Sequence, residues 1–271
     1  MPDDRIPEAE YPISLDSIRA GLALGEFFLE YLPTVSLADG RCVGAEALIR
    51  WRRPTGVVLP EEFIAIVECT PLSGVLTYWV IETVASEMAS WLRANPHAHI
   101  SINVPPEILG RGGVEYVVSK SGLMDLTAQI IMEITERGIP DTLGVAAINA
   151  CIDHGVRVAL DDVTLSGPAN LAVLARCHFH IIKLDKSLIW EISPQCPHPN
   201  WLEDIGALLR SSRITVVAEG IETEQQRSAL TRANIQFGQG YYFSRPISAA
   251  AFIAFHQNAA SPDGEKGAGS D

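Results

Sequence analysis

The sequence has little positive charge and no long uninterrupted apolar run. Lys and Arg number 20 against 33 Asp and Glu, so the 271-residue chain has a net charge of −13 with neutral histidines. This balance argues against nonspecific binding to DNA, RNA or an anionic membrane, although an anionic ligand held through a metal ion is compatible with it. Charged residues interrupt each apolar stretch before it reaches the roughly 20 residues of a membrane-spanning helix, so no membrane segment is expected.

The chain also lacks paired cysteines and a secretory signal. Its 5 cysteines, an odd number, include no Cys-x-x-Cys pair, and residues 1–10 have neither the basic start nor the apolar run of a signal peptide. Reduced thiols in the cytoplasm are therefore predicted. Apolar residues are plentiful instead, at 47% with a mean hydropathy of +0.16, which excludes wholesale disorder.

One continuous domain is predicted over residues 11–256. Residues 1–10 are acidic and contain proline, and residues 257–271 are rich in Gly, Ala, Ser and charge without an apolar period. Both ends are therefore expected to be flexible. No linker divides the chain between them, and a barrel of this length commonly forms one domain.

Short apolar strands alternate with segments of helical length. The predicted strands are 27–37, 41–51, 99–104, 130–136, 157–163, 181–187, 214–221 and 236–243. The predicted helices are 60–69, 74–94, 141–154, 167–176, 200–211 and 223–233. Such alternation is typical of parallel strands with helical crossovers in an α/β fold, and eight strands favour closure into a barrel. A turn at Ala38-Asp39-Gly40 makes the first two strands an antiparallel hairpin.

Charged or amide side chains recur near the ends of seven of these strands. They are Glu46, Arg50, Asn103, Glu133, Glu136, Asp161, Asp162, Lys183, Asp185, Glu219, Glu222 and Gln239. A single acid at a strand end is commonly a cap or a surface charge, and paired aspartates are common in turns. In a parallel barrel, however, the carboxyl ends of the strands share one face, where catalytic groups lie. Recurrence on seven strands favours one shared site.

Several carboxylates at one barrel mouth would repel one another. The acids concerned are Glu46, Glu133, Asp161, Asp162 and Glu219. Crowded like charges force either protonation or the binding of a cation, and oxygen ligands without cysteine favour Mg²⁺ or Mn²⁺ over zinc. Two ions bridged by an aspartate suit in-line attack of water on a phosphodiester. Lys183 would then balance charge or hold the water, and Arg50 would bind a phosphate oxygen.

The motif Glu46-Ala47-Leu48, within GAEALIRW at 44–51, resembles the EAL domain family. The likeness covers about residues 24–248 and continues, in order, through LPEEFI (59–64), INV (102–104), EITE (133–136), LDD (160–162), IKLDKSLI (182–189), VVAEGIET (216–223) and QGYYFSRP (239–246). This family consists of cyclic di-GMP phosphodiesterases, which hydrolyse one phosphodiester bond to give linear pGpG. The resemblance implies a metal-dependent hydrolase with a modified TIM (β/α)8 barrel, whose first strand is antiparallel.

The resemblance also implies metal ligands and catalytic groups. The implied ligands of one divalent ion are Glu46, Asn103, Glu133 and Asp161. The implied ligands of a second ion are Asp161 and Asp162, so one or two Mg²⁺ or Mn²⁺ ions are expected. The implied catalytic groups, which position or activate water near the metal, are Lys183, Glu219, Gln239 and Glu46.

A further set is implied to bind the substrate. Family positions that contact cyclic di-GMP or support its pocket match Leu48, Arg50, Asp185, Glu222 and Tyr241. Glu136 matches the glutamate that anchors the loop after the fifth strand. Beyond cyclic di-GMP, the partners considered are a second copy of the chain and a regulatory protein, whereas DNA, RNA and membranes are not expected.

Two departures from the family pattern support a second hypothesis. The family's DDFGTGYSSL reads DDVTLSGPANL at 161–171, and its Tyr-Gln-Pro reads Tyr31-Leu32-Pro33. Loss of loop glycines narrows the backbone conformations, and Leu32 cannot form the hydrogen bonds of an amide. The alternative is therefore a weakly active or inactive receptor for cyclic di-GMP. A third hypothesis is a barrel enzyme for another phosphodiester, because the metal site does not select the nucleotide.

Two histidine pairs and one glycine pair have simpler interpretations. The His-x-His pairs at 97–99 and 178–180 have the spacing of zinc ligands but lack a third ligand nearby in sequence, so exposed or supporting roles are favoured. Gly238 and Gly240 flank Gln239 and favour a close backbone approach at a barrel corner over a nucleotide-binding loop.

Overall fold

The computed structural model describes residues 12–134, 142–153, 155–164 and 179–259. The strands of its 9-stranded sheet are β1 (Phe27–Ser36), β2 (Cys42–Arg53), β3 (Gly56–Val58), β4 (His99–Asn103), β5 (Ile130–Ile134), β6 (Arg157–Val163), β7 (Ile181–Leu184), β8 (Thr215–Ala218) and β9 (Phe237–Gly238). The α-helices described are α1 (Leu15–Leu24), α2 (Pro60–Val67), α3 (Pro71–Ala94), α4 (Gly113–Lys120), α5 (Thr142–Asp153), α6 (Lys186–Glu191), α7 (Asn200–Ser211), α8 (Glu224–Arg232) and α9 (Ala249–Ala259).

Eight of these strands close into a barrel in the order β1-β2-β4-β5-β6-β7-β8-β9. Neighbouring strands from β2 round to β9 are parallel, whereas β1 is antiparallel to both β2 and β9. The short strand β3 pairs with the end of β2 outside the closed ring. The tight turn at residues 37–41 reverses the chain after β1. Because two strands joined by so short a connection can only pair antiparallel, β1 runs against β2. The modified TIM (β/α)8 barrel with an antiparallel first strand is thus confirmed.

The helix ends follow local chemistry. The Ser14 side chain accepts a hydrogen bond from the Ser17 N–H at 3.2 Å, and Gly25 ends α1 in the left-handed conformation. The Thr70 side chain caps α3, which has Pro71 at its first position. Among the helices described, none combines the length and the apolar character needed to cross a membrane.

Alternation along the strands divides the apolar residues between two layers. Outward-facing residues pack against the helices in a large continuous core that contains Trp51 and Phe63. The inward-facing residues line the barrel lumen. A separate small cluster of buried apolar residues there consists of Ile131, Ala159, Ile181 and Val217. The lumen therefore has an apolar middle layer, and its two ends carry polar side chains.

Three strand predictions were too long by three residues or more, and one helix continues past its predicted domain boundary. The strand predicted at 214–221 shortens to β8. The strand predicted at 181–187 ends at Leu184, because the Asp185 carboxylate accepts a hydrogen bond from the Ser187 N–H at 2.9 Å and begins α6. The strand predicted at 236–243 shortens to β9. Residues 257–259 belong to α9 rather than to the predicted tail. The helix predicted at 167–176 lies outside the described residues.

The seam that closes the barrel between β1 and β9 is short. It pairs residues 35–36 with residues 237–238. A Cβ atom at Gly238 would clash with the Ile221 side chain, and one at Gly240, where φ is +146°, would clash with the Ile221 backbone. The close backbone approach predicted for this corner is therefore confirmed.

Candidate active site

Lys183 lies at the centre of a buried polar cluster at the carboxyl ends of the barrel strands. Its ammonium nitrogen forms ion pairs with one carboxylate each from β2, β5 and β6 and from the residue after β8. The partner oxygens and distances are Glu46 Oε2 at 3.0 Å, Glu133 Oε2 at 2.9 Å, Asp161 Oδ1 at 3.0 Å and Glu219 Oε1 at 2.6 Å. Residues far apart in sequence thus converge because each faces the lumen from its own strand.

Asn103 and Asp162 complete this cluster. The Asn103 amide donates a hydrogen bond from Nδ2 to Glu46 Oε1 at 2.9 Å. Asp162 contributes a carboxylate oxygen that lies within 4.8 Å of those of Asp161 and Glu219. We refer to the acids Glu46, Glu133, Asp161, Asp162 and Glu219 as the carboxylate cup.

A β-bulge in β6 lets two adjacent aspartates serve the same site. Neighbouring residues of a regular strand face opposite sides of the sheet. The register between β6 and β7, however, shifts between Leu160 and Val163, and Asp162 adopts a φ of +53°. This left-handed conformation is uncommon outside glycine and costs on the order of 1 kcal/mol, and such strain concentrates at functional sites.

Burial and mutual repulsion change the acidity of the cup. Burial, with repulsion from Glu46, raises the pKa of Glu133 well above its usual value. Burial also raises the pKa of Asp161, and it raises the pKa of Glu219 to about 8. Glu46 differs because attraction to Lys183 and hydrogen bonding outweigh its burial and lower its pKa. Three acids of the cup thus hold their protons more tightly than exposed carboxyl groups do, and a bound cation would favour their ionised forms.

The donor atoms of the cup fit a hard divalent cation. The cup contains two sets of three carboxylates. Within each set, one oxygen from each residue lies within 4.8 Å of the other two, and both sets include Asp161. The first set adds Glu46 and Glu133, and the second adds Asp162 and Glu219. In the described part of the chain, no cysteine or histidine joins either set. Oxygen donors of this kind suit Mg²⁺ or Mn²⁺ better than zinc.

Gln239 lines the lumen together with Lys183 and Glu133. Its Nε2 donates a hydrogen bond to Thr34 Oγ1 on β1 at 2.9 Å. Its Oε1 is buried and has no hydrogen-bond partner among the described residues. A buried acceptor left unpaired is costly, so this oxygen is a point where a water molecule or ligand would gain a hydrogen bond.

Arg50 and Leu48 extend the inward-facing row of β2 beyond Glu46. Arg50 is buried, and its guanidinium donates to Glu30 Oε2 at 2.8 Å and to the Ile49 carbonyl oxygen at 3.0 Å. Leu48 is half-buried between the two charged residues. The guanidinium is therefore fixed in orientation on the strand that carries Glu46, four residues further along.

The other predicted substrate contacts follow three further strands. Asp185 follows β7 and caps α6, while Glu222 follows β8 and is exposed. Tyr241 follows β9 and is also exposed, with the Arg245 guanidinium 4.3 Å above its ring centre. All three positions lie on the side of the barrel where the parallel strands end. Glu136 lies outside the described residues.

Two residues that the sequence does not predict support the site from β1. Glu30 holds the Arg50 guanidinium, and Thr34 holds the Gln239 amide. They escape a search of strand ends, because β1 runs antiparallel and they lie within it. Alternation along residues 28–34 is the signal that would reveal them, since every second side chain faces the lumen.

An eight-stranded α/β barrel with a buried, oxygen-lined cup at the ends of its strands defines a class of barrel proteins suited to metal-assisted chemistry. The family model of the EAL domain matches residues 15–246. The chain belongs to the EAL domain family.

Two similar proteins are named as phosphodiesterases. The chain is 33% identical over 229 residues to the probable cyclic di-GMP phosphodiesterase PdeB of Escherichia coli, an alignment that covers 83% of this chain and 43% of PdeB. It is 29% identical over 252 residues to the cyclic di-GMP phosphodiesterase NbdA of Pseudomonas aeruginosa, which covers 89% of this chain and 31% of NbdA. The chain thus spans less than half the length of these relatives.

Solved structures of EAL proteins share the fold. The EAL enzyme Bd1971, with cAMP and cyclic di-GMP bound, superposes with a TM-score of 0.80 at 28% identity, over 89% of this chain and 67% of that one. The cyclic di-GMP complex of the PaMucR phosphodiesterase gives 0.78 at 27% identity, over 88% and 98%. A manganese and cyclic di-GMP complex of Klebsiella pneumoniae BlrP1 gives 0.67 at 26% identity, over 82% and 56%.

Proposed function

We propose that this domain hydrolyses one phosphodiester bond of cyclic di-GMP to give linear pGpG, with water as the nucleophile. The observation that carries the proposal is the convergence of the carboxylate cup, Asn103 and Lys183 at one end of the barrel. Membership of the EAL family supports the choice of substrate, because relatives of this domain are named as cyclic di-GMP phosphodiesterases.

The cup would hold one or two divalent ions, Mg²⁺ or Mn²⁺. The proposed ligands of the first ion are Glu46, Asn103, Glu133 and Asp161. The proposed ligands of the second are Asp161 and Asp162, with Glu219 close enough to assist. When bound, such ions supply Lewis-acid polarisation of a phosphoryl oxygen and lower the pKa of water.

Lys183 and Glu219 are the groups that we assign to the attacking water. The Lys183 ammonium is held in place by its four carboxylate partners and can donate a hydrogen bond to the water oxygen or to a phosphoryl oxygen. Burial raises the pKa of Glu219 to about 8, so its carboxylate, once ionised, accepts a proton from water more readily than an exposed glutamate does. Gln239 would orient water through its unpaired Oε1.

The substrate would approach the open side of the cup. Arg50, whose direction is fixed by Glu30, would bind a phosphate oxygen. The other residues that we assign to cyclic di-GMP contacts or to support of its pocket are Leu48, Asp185, Glu222 and Tyr241. Glu136 keeps its proposed role as the anchor of the loop after β6.

The direct test is incubation with cyclic di-GMP and Mn²⁺, with pGpG followed by chromatography. We expect product from the wild-type chain and from Glu203→Gln, which changes an exposed acid on α7. Asp161→Asn should lose Mn²⁺ binding and turnover together, because Asp161 is shared by both oxygen sets. Absence of pGpG from the wild type, or normal Mn²⁺ affinity in Asp161→Asn, contradicts the proposal.

Calorimetry with Ca²⁺ separates hydrolysis from binding alone. The altered loop at 163–170 and Leu32 are the sequence features that favour a receptor of low activity. Cyclic di-GMP that binds tightly with Ca²⁺ but stays intact with Mn²⁺ would identify such a receptor. A panel of other cyclic and linear dinucleotides tests the third hypothesis, and sedimentation with and without ligand tests the proposed homodimer.

A further inference from the structure

The opposite mouth of the barrel, where the parallel strands begin, is basic. His99 and Arg157 are the first residues of β4 and β6, while His180 and Arg213 come just before β7 and β8. These residues and His97 line one cavity of about 290 Å³ that reaches inward to Lys183 and Glu133. We refer to this set as the basic mouth: His97, His99, Arg157, His180 and Arg213. Such a cluster is unexpected in a chain with a net charge of −13.

Several donors of this cavity lack partners. In the described ranges, neither Arg157 nor Arg213 forms an ion pair, and Arg157 Nε is buried with no hydrogen-bond partner. His99 is only 7% exposed, and Ser101, two residues further along β4, is only 3% exposed. Neither of these two side chains hydrogen-bonds to any residue that the structure describes. Arg157 Nε is therefore a buried donor without a partner near the cavity wall, and a ligand that accepts its hydrogen bond would remove an unfavourable contact.

The charges in the cavity select an anion over a cation. Two guanidinium groups repel metal ions, and no set of metal-ligating atoms includes a histidine of the basic mouth within the described residues. Among the described residues, Glu133 is the one carboxylate on the cavity wall, and it is paired with Lys183 at 2.9 Å. Burial lowers the pKa of His99 to about 3, and the nearby positive charge of Arg157 lowers it further in the same direction.

We propose that the basic mouth binds a small tetrahedral oxyanion of the phosphate class. Arg157 and Arg213 would supply charge and forked hydrogen bonds, and His99 and Ser101 would supply further donors deeper in the cavity. A cavity of about 290 Å³ is at the small end of the range of about 300–1,000 Å³ typical of drug-sized ligands, and it accommodates a single oxyanion. The basic mouth lies at the opposite end of the barrel from the strand ends that carry the cup, although Glu133 and Lys183 form the inner wall of the same cavity. The proposal does not depend on the proposed hydrolysis.

Calorimetric titration with inorganic phosphate tests the proposal. The full chain is titrated in a metal chelator at constant ionic strength, so that neither a bound metal nor bulk screening contributes. Arg213→Gln is the first variant, because Arg213 is exposed and its loss should not disturb folding. Arg157→Gln is the second, and Arg232→Gln removes the same charge from the exposed end of α8 as a matched control.

We expect one phosphate per chain for the wild type and for Arg232→Gln. Binding should be at least roughly tenfold weaker in Arg213→Gln and Arg157→Gln, because a charge-assisted hydrogen-bonding partner is lost. The melting temperature should rise with phosphate in the same two proteins that bind it. No binding by the wild type, or equal affinity in all four proteins, overturns the proposal.

A competition arm identifies the source of the oxyanion. Displacement of bound phosphate by GMP at similar concentration would show that the cavity accepts a phosphomonoester end. Displacement by sulfate but not by GMP would show that it accepts the free inorganic ion. Both results support an oxyanion site, and displacement by acetate as effective as that by sulfate would contradict the tetrahedral class.

Discussion

Lys183 carries one positive charge among four carboxylates, three of them buried, and so links the chemistry of the site to the stability of the barrel. Its own burial would lower the pKa of this lysine, but the surrounding acids raise the pKa well above its usual value. The side chain therefore stays charged at neutral pH. The ammonium group of this one side chain thus attracts acids from several strands that would otherwise repel one another.

Replacement of this charge is the first prediction. Lys183→Met should lower the free energy of unfolding by about 3 kcal/mol in a chelator, because a buried set of acids loses its counter-charge. Mn²⁺ should restore part of that loss, since a divalent ion can neutralise the same acids, whereas turnover should stay at least roughly 100-fold down. Urea denaturation and the pGpG assay measure the two effects.

Lys120→Met is the matched control for this experiment. Lys120 forms an exposed ion pair with Glu82 at 3.0 Å, and its loss should cost less than about 1 kcal/mol. A Lys183→Met variant as stable in chelator as this control would show that the buried ion pairs do not stabilise the fold.

His99 provides a prediction about pH. Burial, with Arg157 nearby, lowers its pKa from 6.5 to about 3, so the folded chain holds this ring neutral while the unfolded chain protonates it below pH 6.5. Its contribution to stability is complete above pH 6.5 and is lost as the pH falls toward 3. Between pH 7 and pH 5 this loss amounts to about 2 kcal/mol.

The difference between wild type and His99→Asn isolates that contribution from other titrating groups, Glu219 among them. In chloride buffer, the wild type should lose about 2 kcal/mol more than the variant between pH 7 and pH 5. Urea denaturation at the two pH values measures it. A difference that stays constant over this interval would show that the ring is not held neutral.

At the scale of elements, strand ends were the most predictable feature of the site. Alternation fixes which side chain faces the lumen, and parallel strands bring those side chains to one mouth, so Glu46, Glu133 and Lys183 could be grouped from sequence. The bulge at 160–163 could not be predicted from sequence, because it depends on how β6 pairs with β7. The assigned catalytic and ligand roles remain predictions.

Several helices could not be predicted, because their own sequences lack a clear helical pattern of apolar residues. Four of those described, α1, α4, α6 and α9, are absent from the sequence prediction. Helix α6 has 6 residues, fewer than two turns, so its apolar spacing cannot be told from that of the strand before it. Helix α9 begins with three alanines, which do not distinguish a buried face from an exposed one in the sequence. Its position in the fold is set by Phe252, which packs into the core.

The link between α8 and the loop after β8 gives an element-scale prediction. The buried Gln226 side chain accepts from the N–H groups of Glu222 at 2.8 Å and Thr223 at 3.0 Å, and donates to the Ile189 carbonyl oxygen at 3.3 Å. Gln226→Met keeps the volume but leaves these groups unpaired. We expect a loss of about 2 kcal/mol in the free energy of unfolding, measured by urea denaturation.

The control for this change is Gln257→Met on α9, where the glutamine is exposed. It should change the free energy of unfolding by less than about 0.5 kcal/mol. Equal effects of the two substitutions would mean that Gln226 does not anchor the loop that carries Glu219 and Glu222.

At the scale of the whole molecule, barrel closure depends on the short seam between β1 and β9. Gly240 lies just beyond it, where a Cβ atom would clash with the Ile221 backbone. Gly25 also has a positive φ, of +70°, but its Cβ position is open. Gly240→Ala should therefore cost at least about 2 kcal/mol more than Gly25→Ala, because it adds a steric clash to the shared backbone strain.

Urea denaturation of the two variants measures this difference, and amide hydrogen exchange shows where it acts. In Gly240→Ala, exchange should speed up first at residues 35–36 and 237–238, which form the seam. If both alanine variants lose the same free energy, the close approach at this corner does not support closure.

The division of the apolar residues into an outer core and a small inner cluster makes this scaffold suitable for engineering. Since the outward-facing residues provide most of the packing, residues of the inward-facing rows can be substituted with little loss of the outer core, provided that the charge balance around Lys183 is kept. Libraries confined to those rows would sample new chemistry at either mouth while the architecture stays intact.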